Sequence, residues 1–351
     1  MCKSPLHGFL QALPKVELHM HLEGSLSPEL LFELAAKNKV PLPQHDPAFT
    51  SPAALSQRYE RFSSLEDFLS YFFIGMSTLL HAADFERLAY AYFEKADSQQ
   101  VKHTEVFFDP QMHISRGVLL SDVVEGFSRA RARAKADFGM TTELIMCMVR
   151  HLPMESCLDM FQAADAAGLF KDGSLCGIGM DSTELERPAT LYEPIYRLAK
   201  EQGIRRTMHA GEGDDCPANY VSMALDVGAT RIDHGWRSVE EEAILERLVA
   251  TRTLLTLCPL SNVKVKGIES IEKLPIRTFI ERGVKFCINS DDPAYYGGYI
   301  QENYCAIQDT FNLTMVEWIS ITRNAMELSW ASEERIQQML GLLREAVALW
   351  R

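Results

Sequence analysis

Eight short apolar runs recur along this chain, and helical patterns lie between most of them. The runs are residues 15–19, 104–108, 143–149, 176–180, 206–209, 231–234, 254–258 and 285–289. They lack the strict polar–apolar alternation of a half-solvated sheet. They therefore read as strands buried on both faces, which is the habit of parallel sheets. The intervening stripes stop at glycine. Leu191, Ile195, Leu198 and Ala199 fall on one helical face, and Gly203 follows. Ser238 and Glu241 have capping-box spacing ahead of another apolar stripe. Gly139, Gly168, Gly228 and Gly283 stand where helices should end. Eight strands with intervening helices predict an α/β fold, the (β/α)8 TIM barrel.

The first crossover is too long for one helix. Residues 24–100 must carry several, so extra helices are inserted after the first strand. Ser27-Pro28 opens one, with serine as N-cap and proline at the first helical position. Ser64 opens another, in which Leu65, Phe68, Leu69 and Phe72 share a face. That stripe suits core packing or a hydrophobic lid over the barrel mouth, and Leu65 and Phe68 are its candidate substrate-facing residues. Further helices after Thr314 and Ser332 close the C-terminal end. No Pro/Gly/Ser-rich linker divides the chain, so residues 1–351 are expected to form a single barrel domain.

Charge and cysteine usage narrow the function. Against 35 Lys and Arg stand 48 Asp and Glu, a net charge of −13. Nucleic acid is disfavoured as a partner, because phosphate backbones are bound by clustered cations. No run of about 18 apolar residues is present, so no membrane span is expected. The opening segment carries Pro5, Gly8 and Pro14 and lacks the apolar stretch of a signal peptide. A cytoplasmic protein is expected, and a nuclear pool is compatible with the sequence. The eight cysteines are scattered without a Cys-x-x-Cys pair, which excludes ribbon-type zinc sites and argues against a disulfide scaffold.

In a barrel the catalytic groups project from the C-terminal ends of strands. Strand one ends in His19-Met20-His21-Leu22-Glu23-Gly24. Alternate residues face the same way, so His19 and His21 both point into the mouth with spacing suited to one metal ion. Strand five ends in His209-Ala210-Gly211-Glu212, strand six in Asp233-His234-Gly235 and strand eight in Asn289-Ser290-Asp291-Asp292-Pro293. Asp291-Asp292 alone could be a helix cap. Beside an apolar strand, two adjacent carboxylates are costly unless paired or bound to metal. Three imidazoles and one carboxylate suit Zn²⁺ and leave a position for water. The reaction class is then metal-assisted hydrolysis. Strand four carries no lysine or acid, and Asp181 comes just beyond it, so one metal is preferred over two. The His-Glu-x-x-His motif is absent, as is the Pro-Cys-x-x-Cys partner of cytidine-deaminase-type sites.

Together these segments resemble the adenosine/adenine deaminase branch of the metal-dependent amidohydrolases. The matching stretches are residues 15–24, 64–72, 105–110, 209–212, 231–235, 258–262 and 289–299. Glu23 stands where adenosine deaminases typically carry Asp. The run Asn289-Ser290-Asp291-Asp292-Pro293-Ala294-Tyr295-Tyr296-Gly297-Gly298-Tyr299 is similar to that of fungal and bacterial adenine deaminases. One departure is Gly213, where that subgroup often has another acid.

The resemblance implies one Zn²⁺ per chain, held by His19, His21, His209 and Asp291. It implies that zinc-bound hydroxide attacks C6 of adenine, giving hypoxanthine and ammonia in purine salvage. Glu212 would protonate N1, His234 would orient the water or take its proton, Asp292 would hydrogen-bond N7, and the Gly179 N–H would reach N3. Glu23 would exclude or fail to satisfy a ribose, with Tyr295, Tyr296 and Tyr299 narrowing the pocket. Three rival readings are an adenosine deaminase, a dinuclear hydrolase of a cyclic amide or ester, and a non-catalytic purine-binding protein.

Overall fold

Eight parallel strands form in chain order: β1 (Lys15–Glu17), β2 (Val101–Phe108), β3 (Thr141–Val149), β4 (Gly177–Asp181), β5 (Arg205–Ala210), β6 (Arg231–His234), β7 (Leu254–Leu257) and β8 (Lys285–Ile288). The structure is a computed structural model and describes residues 2–213 and 216–350. Each strand is hydrogen-bonded to its sequence neighbour, the wiring of a (β/α)8 barrel. The seam between β1 and β8 is closed differently. The Leu18 N–H donates to Asn289 Oδ1 at 2.8 Å, and the Ser290 N–H and hydroxyl donate to Glu17 Oε1. Above them Met20 bridges Asp291 in parallel fashion.

The strands fall where the apolar runs place them, with shifts at the ends. β1 stops at Glu17, so His19 and His21 lie on the extended segment just above it. β4 runs one residue further than expected. Asp181 is its last member, so the fourth strand does carry an acid.

The expected caps mostly form. Ser27 accepts from the Leu30 N–H and Ser64 from the Asp67 N–H, each at 3.2 Å. Thr314 and Ser332 cap the last two helices. Gly139 and Gly283 end their helices in the left-handed conformation that glycine adopts most readily.

Two local expectations fail. The Ser238–Glu241 spacing makes no capping box. Gly235, at φ 74°, turns the chain directly into the short 3-10 segment Trp236–Glu240, and the α-helix starts only at Glu242. Leu191 does not join the buried face of Ile195 and Ala199. Pro194 is tolerated only in a first helical turn, so the α-helix begins at Glu193 and Leu191 is left on an exposed 3-10 turn.

The long first crossover holds the helices Pro28–Asn38, Pro52–Tyr59, Leu65–Met76 and Ala82–Ser98. One apolar core draws residues from Cys2 to Val347. Inside the barrel, Phe107, Ile145 and Cys147 form an apolar floor beneath the mouth, with Trp330 and Cys176 packed against it. Lower still, Arg231 is ion-paired with Glu105, and its guanidinium lies 4.0 Å from the Trp330 ring centre. Among the described residues no helix is long and apolar enough to cross a membrane.

Candidate metal centre and catalytic cavity

Four buried side chains converge at the C-terminal end of the barrel. Ligand atoms of His19, His21, His209 and Asp291 all lie within 4.8 Å of one another. His19 Nε2 is 3.0 Å from Asp291 Oδ1, and His21 Nε2 is 3.2 Å from His209 Nε2. The far ring nitrogens fix which lone pairs face the centre. Thr256 donates to Asp233 Oδ1 at 2.9 Å, so its oxygen is free to accept from His19 Nδ1, also at 2.9 Å. His209 Nδ1 faces Asp233 Oδ2 at 3.5 Å and His21 Nδ1 faces Asp181 Oδ2 at 3.6 Å. The Thr256 hydrogen bond orients the His19 ring with Nε2 inward, and the two carboxylates stand behind the His209 and His21 rings.

The His21 and His209 Nε2 atoms, 3.2 Å apart, can share a proton between them or a cation. The buried His19 Nε2, moreover, has no hydrogen-bond partner. Burial pulls His21 down to about 3, which keeps it a neutral ligand. Burial alone would raise Asp291, but His19 beside it holds that carboxyl well below its usual range. Three imidazoles and one carboxylate with outer partners in place fit a tetrahedral divalent ion. Ser261 adds a 2.6 Å hydrogen bond to Asp291 Oδ2.

Glu212 and His234 flank this cluster. Glu212 follows β5. Its backbone N–H and that of Gly211 donate to Glu184, which Arg150 approaches at 3.6 Å. Burial, reinforced by the Asp291 and Glu184 charges, pushes the Glu212 carboxyl well above its usual value. His234 Nε2 stands 3.6 Å from Glu212 Oε1 and 3.8 Å from Asp291 Oδ2, and Asn262 holds its Nδ1 at 3.3 Å. Burial keeps His234 neutral. His234 and Asp291 are both non-glycine residues at positive φ, at 60° and 64°. Such strained conformations persist where surrounding structure enforces them, typically at working sites. Asp292 is raised by burial and by Asp291, and its Oδ1 has no partner.

A small cavity at the barrel mouth opens beside these groups. Its polar lining is His21, Asp109, Asp181, Ser182, His209, Glu212, Asp291 and Asp292. Leu65, Phe68, Leu69, Phe72 and Phe73 of the inserted helix Leu65–Met76 form the apolar wall, together with Tyr296. The same stripe packs inward as well: Phe68 contacts Tyr295 and Tyr296 ring to ring.

Two expected substrate contacts sit elsewhere. Glu23 is fully buried and does not line the cavity. Its carboxyl accepts from the Asp109 N–H at 3.1 Å and from His113 at 2.9 Å. Gly179 lies down in the barrel, where a Cβ would meet Cys147 Sγ at 2.5 Å. Packing against the floor accounts for glycine there, and the position is not part of the cavity wall. Tyr295 and Tyr299 also stay out of the lining.

The family description "Adenosine deaminase" matches residues 14–346. The chain belongs to the adenosine deaminase family. It is 49% identical over 348 residues to an adenine deaminase of Schizosaccharomyces pombe, covering 99% of this chain and 94% of that one. An adenine deaminase of Aspergillus fumigatus is 49% identical over 349 residues, with 99% and 98% covered. Among solved structures, an adenine deaminase from Arthrobacter aurescens superposes with a TM-score of 0.90 at 37% identity, covering 96% of this chain and 99% of that one.

Within this member of the family, several cavity residues carry no motif of their own. Asp109 ends β2 as Asp291 follows β8, an acid directly after an apolar run. That signal was available and points to the mouth for the same reason. Asp233 was visible as the neighbour of His234, but its place behind two imidazoles depends on β5, β6 and β7 lying side by side. Ser182, at φ 70°, and Glu184 belong to the loop after β4, where sequence alone offers no periodicity.

Proposed function

We propose that this protein hydrolyses adenine to hypoxanthine and ammonia at a single zinc site. One observation carries the reading. The donor cluster and the high-pKa Glu212 share one small cavity, in a chain half identical over nearly its full length to proteins named adenine deaminase. The four donors that would hold zinc are His19, His21, His209 and Asp291. Bound there, zinc supplies Lewis acidity that lowers the pKa of water towards ~7.

The protein's own groups do the rest. Glu212 carries the proton that passes to N1, which makes C6 electrophilic. His234, neutral and aimed between Glu212 and Asp291, orients the attacking water and takes its proton. A C6–O bond forms and the C6–N bond breaks: the proton taken by His234 passes through Glu212 to the departing amine, and the C6 hydroxyl proton returns Glu212 to its acid form as the carbonyl forms. Asp292 hydrogen-bonds N7 and fixes the ring plane. The stripe from Leu65 to Phe73 excludes bulk water, which strengthens each of these polar contacts.

The test is direct. Zinc-loaded protein is given adenine and adenosine separately, and ultraviolet loss and ammonia release are followed. Turnover of adenine with little of adenosine is expected, at one zinc per chain by elemental analysis. Preference for adenosine would keep the site and overturn the substrate. Two metals per chain would favour a dinuclear hydrolase.

A further inference from the structure

One buried carboxyl on the cavity wall is used by neither the metal donors nor the proton donor. Asp109 directly follows β2, before the short helix Pro110–Ile114. Its side chain caps nothing there. It lines the cavity instead, 4% exposed, and Oδ1 has no hydrogen-bond partner. Asp181 lies beside it, interacts with the Asp109 carboxyl and faces His21 Nδ1 at 3.6 Å, and neither of its oxygens has a hydrogen-bond partner. A buried, unpaired acceptor is costly unless a ligand satisfies it.

Asp109 is also braced from behind. Its N–H donates to Glu23 Oε1 at 3.1 Å, and the same oxygen accepts from His113 Nε2 at 2.9 Å. Arg116 donates to His113 Nδ1 at 2.8 Å, so the proton of that ring is on Nε2 and aimed at Glu23. Glu23 and His113 are fully buried. A chain of hydrogen bonds therefore fixes the backbone of Asp109 while leaving its carboxyl open to the cavity.

Adenine seated as above presents N1 to Glu212, N7 to Asp292 and C6 to the metal side. Its remaining polar edge is N3 and N9. With N7 as an acceptor, the ring hydrogen is on N9. N9 is also the atom that distinguishes a free base from a nucleoside, which has a sugar carbon in place of that hydrogen. We propose that Asp109 accepts the N9–H of the free base and that Glu23 is its positioning residue. This assignment rests on the adenine reading above. A 9-substituted purine has no donor to offer Asp109 and sets carbon against a buried carboxyl. Sites built around a substrate N–H reject analogues that lack it far more strongly than apolar pockets reject a small change in size.

The probe pair is adenine and 9-methyladenine, assayed on the zinc-loaded wild type, Asp109→Ala and Asp109→Asn, with zinc content measured for each. Wild type is expected to prefer adenine by at least about 100-fold in kcat/KM. In Asp109→Ala the value for adenine falls about 10- to 100-fold, chiefly through KM, while that for 9-methyladenine changes less than threefold. Asp109→Asn, which keeps a carbonyl acceptor, recovers part of the loss. Glu23→Asp, with its anchor one methylene short, narrows the preference in the same direction. Equal losses on both substrates would make Asp109 a structural residue and overturn the assignment. A wild type that handles both bases alike would also overturn it, while leaving deamination standing. A zinc-loaded wild type inert towards both would overturn the proposed function itself.

Discussion

Gly24 offers a way to move Asp292 without touching a reacting group. A Cβ built on Gly24 would stand 2.1 Å from Asp292 Oδ1 and 2.7 Å from its Cα. Ordinary contact begins near 3.4 Å, so the carboxyl oxygen must retreat by about 1.3 Å and the backbone by about 0.7 Å. The backbone at Gly24 is one any residue can adopt, so the whole effect falls on Asp292. Overpacking of this kind destabilises by about 1–3 kcal/mol, and a protein of this size should melt a few degrees lower. The catalytic cost is larger. Misplacing a positioning group by about 1 Å lowers the rate about 100-fold, or roughly 2.7 kcal/mol. Gly24→Ala should therefore remain folded and lose about two orders of magnitude in adenine kcat/KM. On an Asp292→Ala background the same change should cost much less, because the displaced carboxyl is gone and only the smaller backbone shift remains. A Gly24→Ala enzyme within threefold of wild type would refute the reasoning. So would losses that simply add in the double variant.

Four further outcomes follow from the site. Glu212→Gln should keep its zinc and bind adenine yet lose at least about 10³-fold in kcat, and retained turnover would remove Glu212 as proton donor. Because burial raises the Glu212 carboxyl, its acid form is the working one. Activity should fall as pH rises through that raised value, and the residual rate of Glu212→Gln should lack this alkaline limb. Asp233→Asn should weaken zinc binding about 10- to 100-fold in a chelator competition, since Asp233 sits behind both His19 and His209, and unchanged affinity would contradict that role. Chelation should lower the melting temperature and added zinc should restore it, because ion binding to the native cluster adds directly to folding stability.

The barrel was legible because parallel strands buried on both faces leave unbroken apolar runs. The metal donors were legible because His19, His21, His209 and Asp291 each stand at or just past the end of such a run. What the sequence concealed lies in contacts between distant segments. Glu23 sits beside the ligand motif, yet its carboxyl reaches Asp109 and His113 some ninety positions away, and local spacing says nothing of that distance. Gly179 read as a close approach to substrate, and the close approach turned out to be Cys147 on the neighbouring strand. The Ser238 signature failed for a more local reason. A glycine just upstream had already set the chain on a different turn, and propensity gave way to it.

The seam between β1 and β8 has a consequence for synthesis. The proposed metal donors come from positions 19, 21, 209 and 291, so the cluster spans nearly the whole polypeptide, and the Met20–Asp291 bridge that shuts the barrel runs through the same segments. A growing chain carries only three of the four donors until its eighth strand has left the ribosome. With the donors proposed above, metal capture and barrel closure would be one late event, which non-local pairing of this kind also makes slow. Products cut short anywhere before residue 291 are without a complete site.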